Sequence, residues 1–421
     1  MGEQEPLTPV AGNGLLDRRV FLKAGLGIAG GLALARATAA SSSRPEWARS
    51  PGAGMSGYGS SSSFEDHVQR LGIASQPGTT GSGASRTPLE HLEGVITPNG
   101  LVFERHHSGV PTIDPEQHRL EIHGLVRRPL AFSMDALTRY PLATRTYFLE
   151  CSGNSGALAG SPQPPDRGCG EIHGLVSASE LTGVPLPVLL DEVGLADEAA
   201  WLVAEGDDAA RLCRSVPLDK ALDDALVVLY QNGERLRPEN GYPLRLFLPG
   251  FEGNMSIKWL HRIQVTSRPA MSKDETSRYS DLQPDGSALL FTFLMAVKSV
   301  ITSPSPGLQL REPGLYQISG LAWSGSGTIR HVEVSADGGR SWAPAALEAP
   351  VRTKCLTRFR AAWRWNGGPA VLKSRATDDT GAVQPERPAW LAQHGGRSFY
   401  HYNAIQAWAI NGDGVAKNVY A

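Results

Sequence analysis

The sequence predicts an α+β domain followed by an all-β sandwich of immunoglobulin-like type. Two observations carry that reading. Between about Leu89 and Pro269, strand-like runs alternate with short helix-like ones and are split by turns such as Asn232-Gly233 and Pro249-Gly250. From Ala296 onward, short alternating runs follow at near-regular spacing, separated by Asp337-Gly338-Gly339, Asn366-Gly367-Gly368 and Asp378-Asp379-Thr380-Gly381, as in an antiparallel sandwich. The chain of 421 residues has room for more than one domain, and its Gly 47 and Pro 30 suit a loop-rich, strand-rich fold. A formal net charge of -2 gives no electrostatic reason to expect nucleic acid or an anionic membrane as a partner.

Residues 1–40 are expected to stay outside the fold. Asp17-Arg18-Arg19-Val20-Phe21-Leu22-Lys23 carries a twin arginine, a Gly/Ala-rich apolar run reaches Ala35, and Ala37-Thr38-Ala39 offers a cleavage site. That is the layout of a twin-arginine export signal, which implies a periplasmic protein. It also hints at a cofactor, because this route carries proteins already folded around one. The apolar run is short for a membrane span, and nothing after it approaches one. Residues 41–88 are Ser/Gly-rich and read as a linker or surface arm.

Within residues 89–270, His118 to His123 and Arg145 to Leu149 read as strands, and Ser133 to Arg139 and Val184 to Glu192 as short helices. Ala225 to Gln231, Pro243 to Leu248 and Trp259 to Val265 add strands. The hexapeptide EIHGLV stands at both 121 and 171, but its flanks differ, so it is no fold repeat. Residues 271–295 are a polar connector. Residues 296–421 supply the sandwich, with strands at Val297 to Thr302, Gly314 to Leu321, Ile329 to Ser335, Leu356 to Trp365 and Ala370 to Thr377, and with Trp342, Trp363 and Trp365 for its core or one face.

Chemistry concentrates upstream of the sandwich. Cys151 follows the β-prone run Thr146 to Glu150 and precedes Ser152-Gly153-Asn154, so it sits at a strand end facing a loop, where a thiolate can be reached. A buried structural cysteine and a disulfide with Cys169, Cys213 or Cys355 remain open. None of the cysteine spacings is CxxC or CxxCH, which removes a zinc ribbon, a thioredoxin-type motif and a covalently attached c-type haem. Two further clusters are Phe103-Glu104-Arg105-His106-His107, and Asn240 through Arg245 to Ser256 and Lys258. Arg245 lies in an apolar run, and an unpaired buried charge is costly, so it should meet an anion.

Together these clusters resemble the sulfite oxidase family of molybdopterin enzymes, from about Val95 to the carboxyl terminus. The family's F-x-R-N-H element is met by Phe103, Arg105 and His107, with His106 in place of Asn, and its C-A-G-N element by Cys151-Ser152-Gly153-Asn154. Its E-G-x-D loop falls on Glu205 to Asp208, its G-[FY]-P-x-R-x-x-x-P-G element on Gly241 to Gly250, and its K-W-L on Lys258-Trp259-Leu260. The sandwich carries a matching V-S-x-D-G-G-x-x-W in Val334 to Trp342.

The resemblance implies an α+β molybdopterin-binding domain with a dimerising sandwich behind it. Cys151 would be the molybdenum ligand. Phe103, Arg105, His107, Asp208, Asn240, Arg245, Ser256 and Lys258 would line the cofactor, with Arg105 also facing the substrate and Tyr279 a candidate outside that set. Within the family, the ITPNGL approach and the SFYHYNAIQAW ending resemble the branch that oxidises sulfane sulfur on a carrier protein's cysteine during thiosulfate oxidation. Without a haem motif in this chain, a separate c-type cytochrome subunit is implied as electron acceptor. A homodimer within a hetero-oligomer is the expected assembly. Free-sulfite oxidation is the alternative, and a non-catalytic periplasmic binding protein is the rival from another class. After the cysteine motif the sulfite-oxidising branch places arginine where this chain has Ser155 and Gly156, and Leu181 stands where that branch often has Trp. A less cationic, roomier pocket is therefore expected.

Overall fold

The computed structural model describes residues 9–17, 45–75, 79–395 and 400–421. The twin arginine, the apolar run and the cleavage site predicted at 18–40 lie outside these residues. Strands dominate and helices are few and short.

Two sheets build the first half. One runs in the order Cys213–Pro217, Trp201–Gly206, Leu260–Thr266, Arg119–Gly124, Leu130–Ser133, and only the contact between Leu260–Thr266 and Arg119–Gly124 is parallel. The other places Ala143–Glu150 beside Val176–Pro185, then Leu226–Gln231 and Glu234–Arg235, with Arg245–Phe247 also on Leu226–Gln231. The run of Leu226–Gln231 is apolar on both faces because both faces are covered. Val227 and Leu229 enter one core with Leu246 and Ile263, while Leu226 and Val228 enter another with Leu181 and Phe247. Helix Leu186–Val193 buries Leu186, Leu189, Leu190 and Val193, a stripe at helical spacing, and ends at Gly194 with φ 66.

The second half holds two antiparallel sheets over one core. Lys298–Ser303, Gly314–Trp323 and Thr357–Trp365 form the first, and Ile329–Ser335, Ala370–Asp378, Ala407–Ile410 and Ala416–Val419 the backbone of the second. Trp323, Trp363 and Trp408 are fully buried there, whereas Trp342 stays partly exposed beneath the Arg375 guanidinium. The predicted strands match to within a few residues. Val176–Pro185, rich in small polar residues, and the last two strands of the second sheet escape the alternation pattern.

Two boundary expectations are corrected. Gly83–Arg86 pairs with both Leu71–Ser75 and Glu104–His106, and Thr87 is fully buried, so the end of the expected linker belongs to the fold. Residues 9–17 also belong to it: Leu15 pairs with Trp363, and Leu15 and Leu16 are 0% and 2% exposed. The EIHGLV copies behave as separate pieces. The first four residues of one copy end the strand Arg119–Gly124, whereas the other copy begins in the last three residues of the helix Cys169–His173, because the surrounding contacts override a shared local propensity.

One buried ion pair ties the halves together. Lys298 Nζ donates to Glu150 Oε1 at 3.0 Å and to Ser155 Oγ at 2.8 Å, and Trp323 Nε1 donates to Glu150 Oε2 at 2.7 Å. Removing one partner strands a buried charge, so Lys298→Met should lower unfolding stability by about 3–5 kcal/mol. The double variant Glu150→Gln/Lys298→Met, which leaves no charge behind, should regain at least half of that loss in urea titrations. Equal stability of Lys298→Met and the parent chain would contradict this account.

Candidate active site

Cys151 stands directly after strand Ala143–Glu150, as expected, and the loop behind it is fixed from several sides. Asn154 donates to Glu150 Oε1 at 2.9 Å and accepts from the Leu175 amide at 3.1 Å. Ser155 takes a left-handed conformation at φ 66, and its hydroxyl lies 2.7 Å from His173 Nδ1. Gly253 closes the other side: a Cβ there would come within 2.9 Å of the Glu150 carbonyl, so only glycine lets that backbone approach the cysteine. All four cysteines are free, which removes the disulfide alternatives.

The cavity at Cys151 is lined by every residue expected to hold the cofactor: Phe103, Arg105, His107, Asp208, Asn240, Arg245, Ser256 and Lys258. Arg245 is buried at the start of its short strand. Among the described residues it has no carboxylate partner; its Nη atoms donate to the carbonyls of Asn240 at 3.0 Å and Ser256 at 2.9 Å. Burial alone pulls its guanidinium down to about 10. Lys258 donates to the carbonyls of Arg105 and Glu239 and lies 2.7 Å from His106 Nδ1. Desolvation, and then the nearby Arg245 charge, hold this ammonium well below its ordinary value. The same causes keep His106 neutral, at about 3 through burial and then Lys258, and His107 at about 4 through burial and then Arg105.

The polar atoms that lack partners fit an anionic, amide-bearing group. Asp208 Oδ1, Asn240 Oδ1, Asn254 Oδ1 and Arg245 Nε are all buried without a hydrogen bond among the described residues, and all four residues line this cavity. Three oxygens can accept N–H donors, and the guanidinium can donate to a phosphate or carbonyl. Burial first, and then the Arg245 and Arg105 charges, lower the Lys258 ammonium, an effect that a bound anion would offset. These donors and acceptors suit a pterin with a phosphate tail. Among the described residues no group of three or more His, Cys, Asp or Glu is placed to hold a metal ion, so a metal at Cys151 would draw its remaining ligands from that cofactor.

A second cavity of about 440 Å³ opens from the first and shares Arg105, His107, Cys151 and Tyr279 with it. Arg86, Arg167 and Arg278 line it as well. Positive charge thus reaches this cavity from three distant segments, which the reading of Ser155 and Gly156 alone did not foresee. Leu181 offers no extra room here, since it is packed with Phe247 in a separate apolar cluster. Burial and then the Arg167 charge depress the Arg86 guanidinium, the signature of cations awaiting an anion. Tyr279, left outside the expected set, belongs to the site; its hydroxyl lies 2.8 Å from His107 Nε2, and the Arg214 guanidinium sits 4.8 Å from its ring centre. No spacing rule pointed to Arg86, Arg167 or Arg278, because the fold alone collects them.

The fold matches known families over most of its length. Residues 107–273 match the oxidoreductase molybdopterin binding domain and residues 291–407 the Mo-co oxidoreductase dimerisation domain. Sulfite oxidase of Gallus gallus is 31% identical over 72% of this chain and 72% of its own length. The chain belongs to the sulfite oxidase family. Mitochondrial sulfite oxidase of Mus musculus is 32% identical over 71% of this chain, which spans 59% of the mouse protein's length. The NADH nitrate reductase of Solanum lycopersicum is 30% identical, with 38% of its length spanned. Among solved structures, that of the sulfane dehydrogenase SoxCD from Paracoccus pantotrophus superimposes with a TM-score of 0.87 at 43% identity, covering 90% of this chain and 97% of that one. Within the sulfite oxidase family the chain is SoxC-like.

The buried histidines set the acid sensitivity of this family member. His106, His107, His118, His173 and His394 all have folded values below the ordinary 6.5, burial being the first cause in each, while His401 is raised, because Glu252 outweighs burial. For the lowered group the unfolded chain binds protons more readily. Their contribution is therefore full above pH of about 6.5 and drains away as pH falls toward the folded values. The melting temperature should drop steadily from about pH 7.5 to about pH 5, and His173→Asn should flatten part of that slope. A level profile across that window would refute the assignment.

Proposed function

We propose that the protein is a molybdenum-cofactor oxidoreductase that oxidises sulfane sulfur carried on a partner protein's cysteine, in the periplasm. The observation that carries the reading is the 43% identity sustained over 97% of the Paracoccus sulfane dehydrogenase chain. Electrons would pass to a separate c-type cytochrome subunit, because this sequence has no CxxCH motif for a covalently held haem. A homodimer formed through the dimerisation domain, itself within a hetero-oligomer, is the matching assembly.

In this reading Cys151 holds molybdenum through its sulfur, a soft ligand suited to such a metal. Arg245 and Lys258 neutralise the cofactor's anionic tail, while Asp208, Asn240 and Asn254 accept its N–H donors. When bound, the cofactor supplies two-electron redox chemistry that no side chain offers. The chain does the rest. Arg105 faces the reacting sulfur, and Arg86, Arg167 and Arg278 draw in negative charge and hold it. Burial raises the Tyr279 phenol, so it keeps its proton, and its hydroxyl shares a hydrogen bond with neutral His107 at Nε2.

The arginine-lined cavity also favours a second reading, free sulfite as substrate. Steady-state rates with sulfite and with a carrier-bound persulfide separate the two, and a decisive preference for sulfite would sink the first. Metal analysis should find molybdenum in the parent protein and none in Cys151→Ala. A molybdenum-free parent purified from molybdenum-sufficient cells would instead favour a binding protein. Arg167→Ala and Arg278→Ala should each raise KM roughly tenfold, about 1.4 kcal/mol, with kcat little changed, since they act on substrate capture.

A further inference from the structure

The segment just before the predicted export signal lies in a fitted slot on the C-terminal domain. Pro9–Ala11 folds back on Leu15–Leu16 through the tight turn Gly12-Asn13-Gly14, and Leu15 adds to the edge of the sheet at Trp363. Leu15 and Leu16 are 0% and 2% exposed, and Leu15 joins the sandwich core. The turn is held by the domain at both ends. Asn13 donates to the Ala336 carbonyl at 2.9 Å and the Pro369 carbonyl at 3.3 Å, the Gly12 amide donates to Ser341 Oγ at 2.6 Å, and Trp363 Nε1 donates to the Asn13 carbonyl at 2.8 Å.

The sequence of the turn suits only this seat. A side chain at Gly12 would come within 2.1 Å of the Asp337 carboxylate, and one at Gly14, whose φ is +88, within 2.1 Å of the Arg364 carbonyl. Asn13 takes a left-handed conformation at φ 56, which asparagine tolerates better than most residues. An ordinary tail has no reason to bury two leucines or to spend two glycines on close approach. Main-chain pairing gives such an added strand its affinity, and the pockets for its side chains give selectivity.

We propose that this edge of the C-terminal domain is a peptide-binding slot whose ligand is the chain's own Val10–Leu16 segment. The slot exists only once Thr357–Trp365 and the Ala336 to Ser341 loop are in place, so docking reports a folded C-terminal domain. Removal of a leader at Ala37-Thr38-Ala39 would take the ligand away and leave the slot open. That last consequence rests on the export-signal reading; the slot itself does not.

The test uses full-length protein and a fluorescent peptide of residues 8–17. In the Gly14→Val chain the internal segment cannot seat, so the labelled peptide should bind saturably. The parent chain, with its slot filled, should bind at least tenfold more weakly, and a peptide carrying Gly14→Val should bind neither. Absence of binding to the variant, or equal binding to both chains, overturns the proposal. Hydrogen exchange on the parent chain gives an answer independent of the variant's folding. The Gly12 and Leu15 amides should be protected, and free exchange throughout residues 9–16 would overturn the slot. Sulfur oxidation is assayed separately, so a failure of the proposed activity leaves these results readable.

Discussion

The carboxylate of Glu150 is the group on which the rest of the site depends. It is 1% exposed, immediately precedes Cys151, and receives donors from Lys298, Asn154 and Trp323. Taking two charges out of water costs several kcal/mol per ion, which a buried pair recovers only when its geometry is good and its other lone pairs are filled. Here they are filled, with burial lowering the Lys298 ammonium and Glu150 opposing that shift. The donors come from both halves of the molecule. The C-terminal sheets thus hold no part of the cofactor cavity themselves, yet Lys298 and Trp323 set where the cysteine loop stands. A dimerisation domain that braces the site in this way is a working part of the enzyme.

Charge balance explains why the cavity suits one kind of ligand. A cluster of arginine and lysine side chains facing carbonyl oxygens, with few carboxylates among them, is unfavourable by itself. Arg245 and Lys258 both give up proton affinity to stay there. The deficit is not uniform: on the far side, Arg214 is flanked by Glu252 and Glu275 at 3.0 and 3.1 Å, and those two acids outweigh its burial. The chain therefore pairs Arg214 closely where it is structural, whereas around Cys151 the acids are fewer and farther, Asp274 at 3.7 Å from Arg278 and Glu171 on the cavity wall. Anionic cofactor and anionic substrate are the groups that complete such a surface.

Much of this was legible in the residues. Turn clusters at Asp337 to Gly339 and Asn366 to Gly368 marked the sandwich strands, and the cysteine's place between a β-prone run and a glycine turn marked the strand end. The residues that line the cavity were legible through a family pattern, since no spacing on one element connects Arg105, Asp208 and Lys258. What escaped did so for physical reasons. Strand Val176–Pro185 is mostly small and polar yet largely buried, so it shows no alternation. The two EIHGLV copies share one local propensity and adopt two structures. Leu15 and Leu16 read as part of a leader because their partner, Trp363, lies far along the chain.

The position after the cysteine motif shows how one requirement can be met by another part of the chain. Ser155 was read as lost positive charge. In the fold its hydroxyl is 2.8 Å from the Lys298 ammonium and beside His173. An arginine seated in that conformation would meet a like charge at short range, and would displace a bond that keeps Lys298 on Glu150. Retaining the buried network therefore argues against arginine at 155. The proposed function still calls for cations to draw an anionic substrate, and Arg86, Arg167 and Arg278 stand on the cavity's other walls. Charge moved to those walls lies farther from Ser155 along the chain and spreads over a cavity of about 440 Å³. Such a distribution grips an anion carried on the end of a larger partner as readily as a free one, because it does not demand that the whole ligand fit beside Cys151.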